Sequence, residues 1–219
     1  MCRREGVNLQ RGMNYGLGGS YSVILMSVRS NAPYRDKIKE DGSTLVYEGH
    51  DVPRTDIFID PKSVDQPEYS PAGSLTQNGK FHKAAQDHKE GSRPPEPVRV
   101  YEKIRQGIWS YNGVFQLVDS WIENDGIRNV FKFELAAIQE EVSAVQSIQD
   151  HPHKRRVIPT NVKLEVWKRD SGKCVICGAT DELHFDHIIP FSKGGTSLTA
   201  GNIQLLCARH NIAKRDKIE

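Results

Sequence analysis

Cys174-Val175-Ile176-Cys177 and, 29 residues later, Cys207-Ala208-Arg209-His210 decide the reading of the C-terminal part of this chain. Two short-spaced pairs of thiolate and imidazole donors suit a tetrahedral zinc ion. Each pair sits on a tight turn or helix start, so both of its ligands aim at one point. In so short a segment, with little apolar core, a metal staple has an obvious folding role. Three of the four cysteines fall in this stretch, and the fourth is Cys2. A disulfide framework does not crowd cysteines this way, whereas a metal site does.

Working outward, Leu183-His184-Phe185-Asp186-His187-Ile188-Ile189-Pro190 reads as a strand and Phe191-Ser192-Lys193-Gly194-Gly195 as a loop. Asn202 precedes the apolar Ile203-Gln204-Leu205-Leu206, and Asn211 and Lys214 follow on a helix. Upstream, Asn161 is the expected N-cap of a helix over 162–169, with Val162, Leu164, Val166 and Trp167 apolar.

The succession Cys-x2-Cys, Asp-His-Ile-x-Pro, Gly-Gly, Asn, Leu-Cys-x2-His-Asn-x2-Lys resembles the HNH endonucleases of the zinc-stapled type, over 160–219. The resemblance implies a ββα-metal fold with structural Zn2+ on Cys174, Cys177, Cys207 and His210. It implies His187 and Asn202 as catalytic residues, His187 as general base and Asn202 fixing the base and its loop. Asp186 and Asn211 would hold Mg2+ or another divalent cation, and Lys214 would contact phosphate. His210 stands where relatives usually carry cysteine, and Asn211 where many carry a second histidine. The chemistry is consistent: an imidazole takes a proton near neutral pH, and a hard cation prefers oxygen. Adjacent strand residues point to opposite faces, so Asp186 and His187 share one phosphate only if the strand ends or twists there. His184 is read as an exposed strand histidine.

The 219 residues suit one large domain or two small ones. Charged residues are 26% and hydrophobic residues 37%, a soluble profile with no apolar run long enough to span a bilayer. No basic-then-apolar start is present, so no export and no membrane partner are expected, and a prokaryotic cytoplasm is the expected location. The net charge of +2 is uneven. From His151 onward there are twelve Lys and Arg against seven Asp and Glu, which points to a polyanionic partner.

The N-terminal part reads as mainly β. Tyr21–Val28, Ser43–Tyr47, Val98–Tyr101, Gly113–Trp121 and Val130–Leu135 are strand-like, with a hairpin signal at Glu123-Asn124-Asp125-Gly126. Residues 51–74 read as loop, and 75–85 carry no decided signal. Gly16-Leu17-Gly18-Gly19 precedes a strand, not a helix, so nucleotide binding is rejected. Turn spacing suits a barrel or sandwich. Ala136–Ile148 is expected as a short helix, and Asp150–Pro159 as a linker.

Ser22-Val23-Ile24-Leu25, then Tyr34 with acidic neighbours, then Leu45-Val46-Tyr47-Glu48-Gly49-His50, resembles the SRA (SET- and RING-associated) domain. The later runs Pro97–Val100, Tyr111–Trp121 and Phe131-Lys132-Phe133 extend the resemblance over most of 12–137. It implies a PUA-like β-barrel that flips a modified cytosine, 5-methylcytosine or 5-hydroxymethylcytosine, into a pocket. Tyr34 and Tyr47 would stack on the base. Asp36, with Asp41 as the alternative, would accept from its amino group. Asn78 and Lys80 would contact DNA.

The expected class is thus α+β. An SRA-like (PUA-like) β-barrel spans 1–140, a helix and linker 141–160, and a small ββα-metal HNH domain with a structural zinc 161–219. The expected function is a modification-dependent DNA endonuclease. The alternatives are a modified-DNA reader with an inactive zinc domain, or an HNH nuclease indifferent to modification. Double-stranded DNA carrying modified cytosine is the expected partner, and a homodimer the expected assembly.

Overall fold

The two most clearly alternating segments, Val98–Tyr101 and Gly113–Trp121, lie inside longer strands in a computed structural model, which describes residues 5–9, 11–17, 19–53, 60–138 and 157–218. The chain forms two compact units. One takes in Met1–Ile38, Thr44–Lys103 and Asn112–Ile138, the other Lys39–Ser43, Ile104–Tyr111 and Gln139–Glu219.

The first unit is a mixed sheet of seven strands: β1 (Met13–Leu17), β2 (Tyr21–Met26), β3 (Lys37–Ile38), β4 (Thr44–Glu48), β5 (Glu96–Arg105), β6 (Ile108–Asn124) and β7 (Asn129–Ala137). Their order is β1-β2-β5-β6-β7-β4-β3. β2 and β5 run parallel, with Ile24 opposite Val100; β4 and β7 are antiparallel, with Tyr47 opposite Phe133. The β6–β7 turn forms at Asp125, whose Oδ1 accepts the Ile127 and Arg128 N–H groups at 2.9 and 3.0 Å. The register shifts between Leu117 and Asp119, a bulge that lets so long a strand bend.

Residues 75–85, undecided in sequence, start helix α1 (Gln77–Lys89). Thr76 caps it, its Oγ1 accepting the Gly79 N–H at 3.2 Å. Phe81, Ala84 and Ala85 recur at helical spacing and are buried. The Phe81 ring lies 5.8 Å from that of Phe133 and 5.4 Å, edge-on, from that of Tyr15. Fully buried Phe115, Phe131, Phe133, Leu45 and Ile24 complete an apolar core. Gly16 and Leu17, in the run that precedes β2, belong to β1.

The second unit holds α2 (Thr160–Arg169), β8 (Leu183–His187), β9 (Ile203–Cys207) and α3 (Ala208–Lys214). β8 and β9 are antiparallel, pairing Asp186 with Gln204 and His187 with Ile203. Asn161 is not the cap expected of it. Pro159 precedes the first turn, without a side-chain cap bond, and Asn161 lies inside the helix. The Pro159 ring fixes its own φ, here −59°, at the entry to the helix. Val162 and Val166 pack with Ile158, Ala200, Ile203 and Leu205. Arg169 donates to the Ala200 and Ile203 carbonyls at 2.7 Å, and Asp170 Oδ2 accepts the Leu205 N–H at 2.9 Å. The end of α2 is thereby fixed to β9.

The expected helix and linker between β7 and α2 fall largely on 139–156, outside the described residues. Ala136 and Ala137, placed in that helix by the sequence reading, belong to β7. Among the described residues no helix is long and apolar enough to cross a membrane.

Candidate active site

Cys174 and Cys177 lie on the turn after α2, and Cys207 and His210 where β9 gives way to α3. Gly178, at φ +73°, closes the turn in a conformation that disfavours a side chain, its N–H donating to the Cys174 carbonyl at 2.8 Å. The four donor atoms lie within 4.8 Å of one another. Cys177 Sγ is 3.8 Å from Cys207 Sγ, and His210 Nδ1 is 3.4 and 3.3 Å from the sulfurs of Cys174 and Cys207. Tetrahedral ligands at about 2.3 Å from zinc stand roughly 3.8 Å apart, so the set fits that ion. Burial raises the Cys174 thiol pKa. The N–H groups of Cys207, Cys177 and Ile176 and the His210 ring outweigh it and bring the pKa down to about 6, towards the thiolate that a metal needs.

β8 ends at His187, the last of its residues paired with β9, and the chain turns immediately after it. Asp186 Oδ2 accepts from Gln204 Nε2 at 3.2 Å and pairs with Lys214 Nζ at 2.9 Å. Lys214 Nζ also donates to the His187 carbonyl at 2.7 Å, so one ammonium ties the last two residues of β8 to α3. Lys214 is therefore corrected as a phosphate contact: its side chain is 1% exposed and spent on β8. No bond reaches Asp186 Oδ1 among the described residues. That oxygen suits a hard cation, and Asn211, half-buried on α3, supplies the second oxygen donor type. Lys214 already compensates part of the carboxylate charge.

His187 Nε2 lies 2.8 Å from Ser197 Oγ, and its ring packs 6.1 Å from that of Phe191. Asn202 is buried and works on the loop. Its Oδ1 accepts the Ile189 N–H at 2.9 Å, and its Nδ2 donates to the Ile189 and Thr196 carbonyls at 3.1 and 2.9 Å. A Cβ at Gly195 would overlap the Ile189 carbonyl, which is why glycine stands there. His184 is half-buried in β8, not exposed.

In the first unit the two candidate stacking tyrosines are joined through His50. The Tyr34 ring stacks at 5.9 Å from the His50 ring, and Tyr47 Oη is 3.1 Å from His50 Nε2. Burial holds the His50 pKa down, to about 4. Asn78 clamps the His50 backbone, Oδ1 accepting its N–H and Nδ2 donating to its carbonyl, both at 2.8 Å. Asn78 is thus corrected as a DNA contact, being 1% exposed and committed to His50. Lys80 is exposed on α1. Lys62 Nζ sits 3.9 Å above the Tyr34 ring and 2.9 Å from Asp51.

Asp36 is buried, its oxygens accepting the Ser27 and Glu48 N–H groups at 2.8 and 3.0 Å, and burial pushes its pKa up to about 7. Burial, then the charges of Asp36, Tyr34 and Glu48, raise the Tyr47 phenol well above its ordinary value, so these groups are neighbours. Asp41 is exposed and spends Oδ1 on the Ser43 N–H at 2.8 Å.

Sequence reasoning missed Ser197, Gln204 and His50. Gln204, a polar residue amid Ile203, Leu205 and Leu206, carried a signal; the other two gave none.

Residues 174–217 match the HNH endonuclease family. The matched segment contains the zinc-type donors, Asp186, His187, Asn202 and Asn211. The chain is also similar to solved SRA structures. One is the SUVH5 SRA in complex with hemi-methylated CG DNA, at 21% identity over 63% of this chain and 79% of that one, TM-score 0.41. Another is the SUVH5 SRA bound to fully hydroxymethylated CG DNA, at 20% identity over 63% and 80%, TM-score 0.39. Arabidopsis thaliana SUVH6 in complex with SAM matches at 19% identity over 83% of this chain and 28% of that one, TM-score 0.39. No curated protein matches the chain.

Proposed function

We propose that the chain is a modification-dependent DNA endonuclease. Residues 1–140 bind DNA with a modified cytosine flipped out of the helix, and 161–219 hydrolyse a phosphodiester bond nearby. The observation that carries the reading is that Asp186 and His187 occupy the last two positions of β8, inside the segment that matches the HNH family.

In this reading His187 takes a proton from the attacking water, whose oxygen bonds to phosphorus as the sugar oxygen departs. Asp186 Oδ1 and the Asn211 amide oxygen hold a divalent cation, magnesium by preference. When bound, that ion supplies positive charge at the scissile phosphate and the leaving oxygen. Gln204 and Lys214 hold the other Asp186 oxygen, which orients the carboxylate. The cysteines and His210 hold zinc and fix the start of α3, which carries Asn211.

For the reader, Tyr34 stacks on the base and Asp36 accepts from its amino group, while Tyr47, expected as the second stacking ring, is 1% exposed and backs His50 instead. One methyl adds only about 1 kcal/mol, so selectivity per site is modest. Lys80 meets the DNA backbone. One HNH centre cuts one strand, so two copies act on a duplex. The role is defence of a prokaryotic cell against modified foreign DNA, in the cytoplasm.

The test is digestion of matched plasmids, unmodified and cytosine-methylated, with magnesium. The reading predicts faster cutting of the methylated plasmid, and equal rates refute the reader.

A further inference from the structure

The bond between His187 and Ser197 belongs to no motif in the sequence, yet it ties the candidate base to a buried loop residue. Ser197 is 1% exposed, and its Oγ lies 2.8 Å from His187 Nε2. Serine has a single side-chain torsion, so the position of Oγ follows the backbone that carries it. That backbone is held on both sides. The Gly195 N–H donates to the Pro190 carbonyl at 3.1 Å, and Thr196 Oγ1 accepts the Leu198 N–H at 3.1 Å. Asn202 ties Thr196 to Ile189, two residues beyond His187. The three side-chain bonds of Asn202 all go to loop backbone.

We propose that Ser197 is a positioning residue for His187, and that Asn202 influences catalysis through it. Ser197 fixes the imidazole in one rotation, and Asn202 fixes Ser197 by locking residues 189 and 196 together. This rests on the reading of His187 as the general base. A histidine ring turns readily about its two side-chain torsions, and a proton acceptor works only while aimed at its water. A hydroxyl donates or accepts, so it bonds Nε2 in either tautomer and restrains the rotation of the ring. The arrangement is economical because the serine is small, buried and set in a loop that cannot shift without breaking the Asn202 bonds.

The full zinc-loaded chain is compared with S197A, in which only the hydroxyl is lost. On a magnesium-dependent cutting assay kcat falls on the order of 10-fold, with KM for DNA and zinc content unchanged. In a long-range 1H–15N spectrum of histidine-labelled protein, assigned with H187Q, the His187 Nε2 shift moves between wild type and S197A, as the loss of a hydrogen bond to that nitrogen requires. The double variant S197A/N202A cuts no more slowly than N202A. Wild-type kcat and wild-type nitrogen shifts in S197A would overturn the Ser197 role. A double variant slower than N202A by the full S197A factor would overturn the route through Ser197. A wild-type protein that cuts no DNA removes the base, and this proposal with it. The fate of the parent reading is thus seen separately from that of S197A.

Discussion

The two units reach a fixed structure by different physics. The first buries Phe81, Phe115, Phe131, Phe133, Tyr47 and Leu45 between a helix and a seven-stranded sheet. Its polar residues are set into that framework, as Asn78 and Asp36 are. The second has a small apolar cluster around Val162, Val166, Ile203 and Leu205 and a minor one of Cys174, Leu206 and Cys207. Its remaining order comes from donors: four ligand atoms around one point, an ammonium between strand and helix, an amide across a loop. A unit held by apolar area tolerates the loss of one polar contact. One held by a few polar links does not, because each link stands alone.

The sharpest way to break this contrast is Cys174→Ser. Zinc binding contributes on the order of 10 kcal/mol in small zinc domains, so the variant should lose the transition of the second unit while that of the first persists. Calorimetry with and without a zinc chelator checks it. A single unchanged transition would make the second unit a conventional core. Next in size is Lys214→Met. It leaves the Asp186 carboxylate, 13% exposed, without its ammonium, and should cost the second unit about 3 kcal/mol in a denaturant titration. A loss near zero would mean that the pair is dispensable to the fold.

The smallest effect concerns pH and the first unit. His50 has a folded pKa of about 4 against an ordinary value of 6.5. The unfolded chain therefore binds the proton first, and this contribution is lost as pH falls from 6.5 to about 4. Asp36 has a folded pKa of about 7 against 3.8, so its contribution runs the other way and stability rises as pH falls through that range. The two offset each other in the wild type. His50→Gln should gain stability relative to wild type as the pH falls from 6.5 to about 4, measured by melts of the first unit. A constant difference would contradict the sign.

Legibility in the sequence followed the same division. The four zinc-type donors were readable because ligand chemistry fixes residue type and spacing together: Cys174, Cys177, Cys207 and His210 converge as their spacing requires. Strand periodicity gave β2 and β4 to within a residue or two. Helix α1 was not readable, because its apolar face is narrow and its cap, Thr76, sits in a stretch of loop composition. Asn78 and Lys214 were assigned to DNA from their place in motifs, which carries no information on burial. Ser197 was invisible because its role comes from the fold of a loop around Asn202.

The most direct test of the central claim, that the end of β8 is a hydrolytic centre, is the nicking rate of a methylated plasmid by wild type and His187→Ala. Both proteins are brought to equal zinc content, with magnesium and then with a chelator. The account predicts cutting by wild type that magnesium supports and a chelator stops. It predicts a loss of 10²- to 10⁴-fold, an order-of-magnitude range, in His187→Ala with its melting unchanged. Equal rates from the two proteins, each cutting or neither, would contradict it.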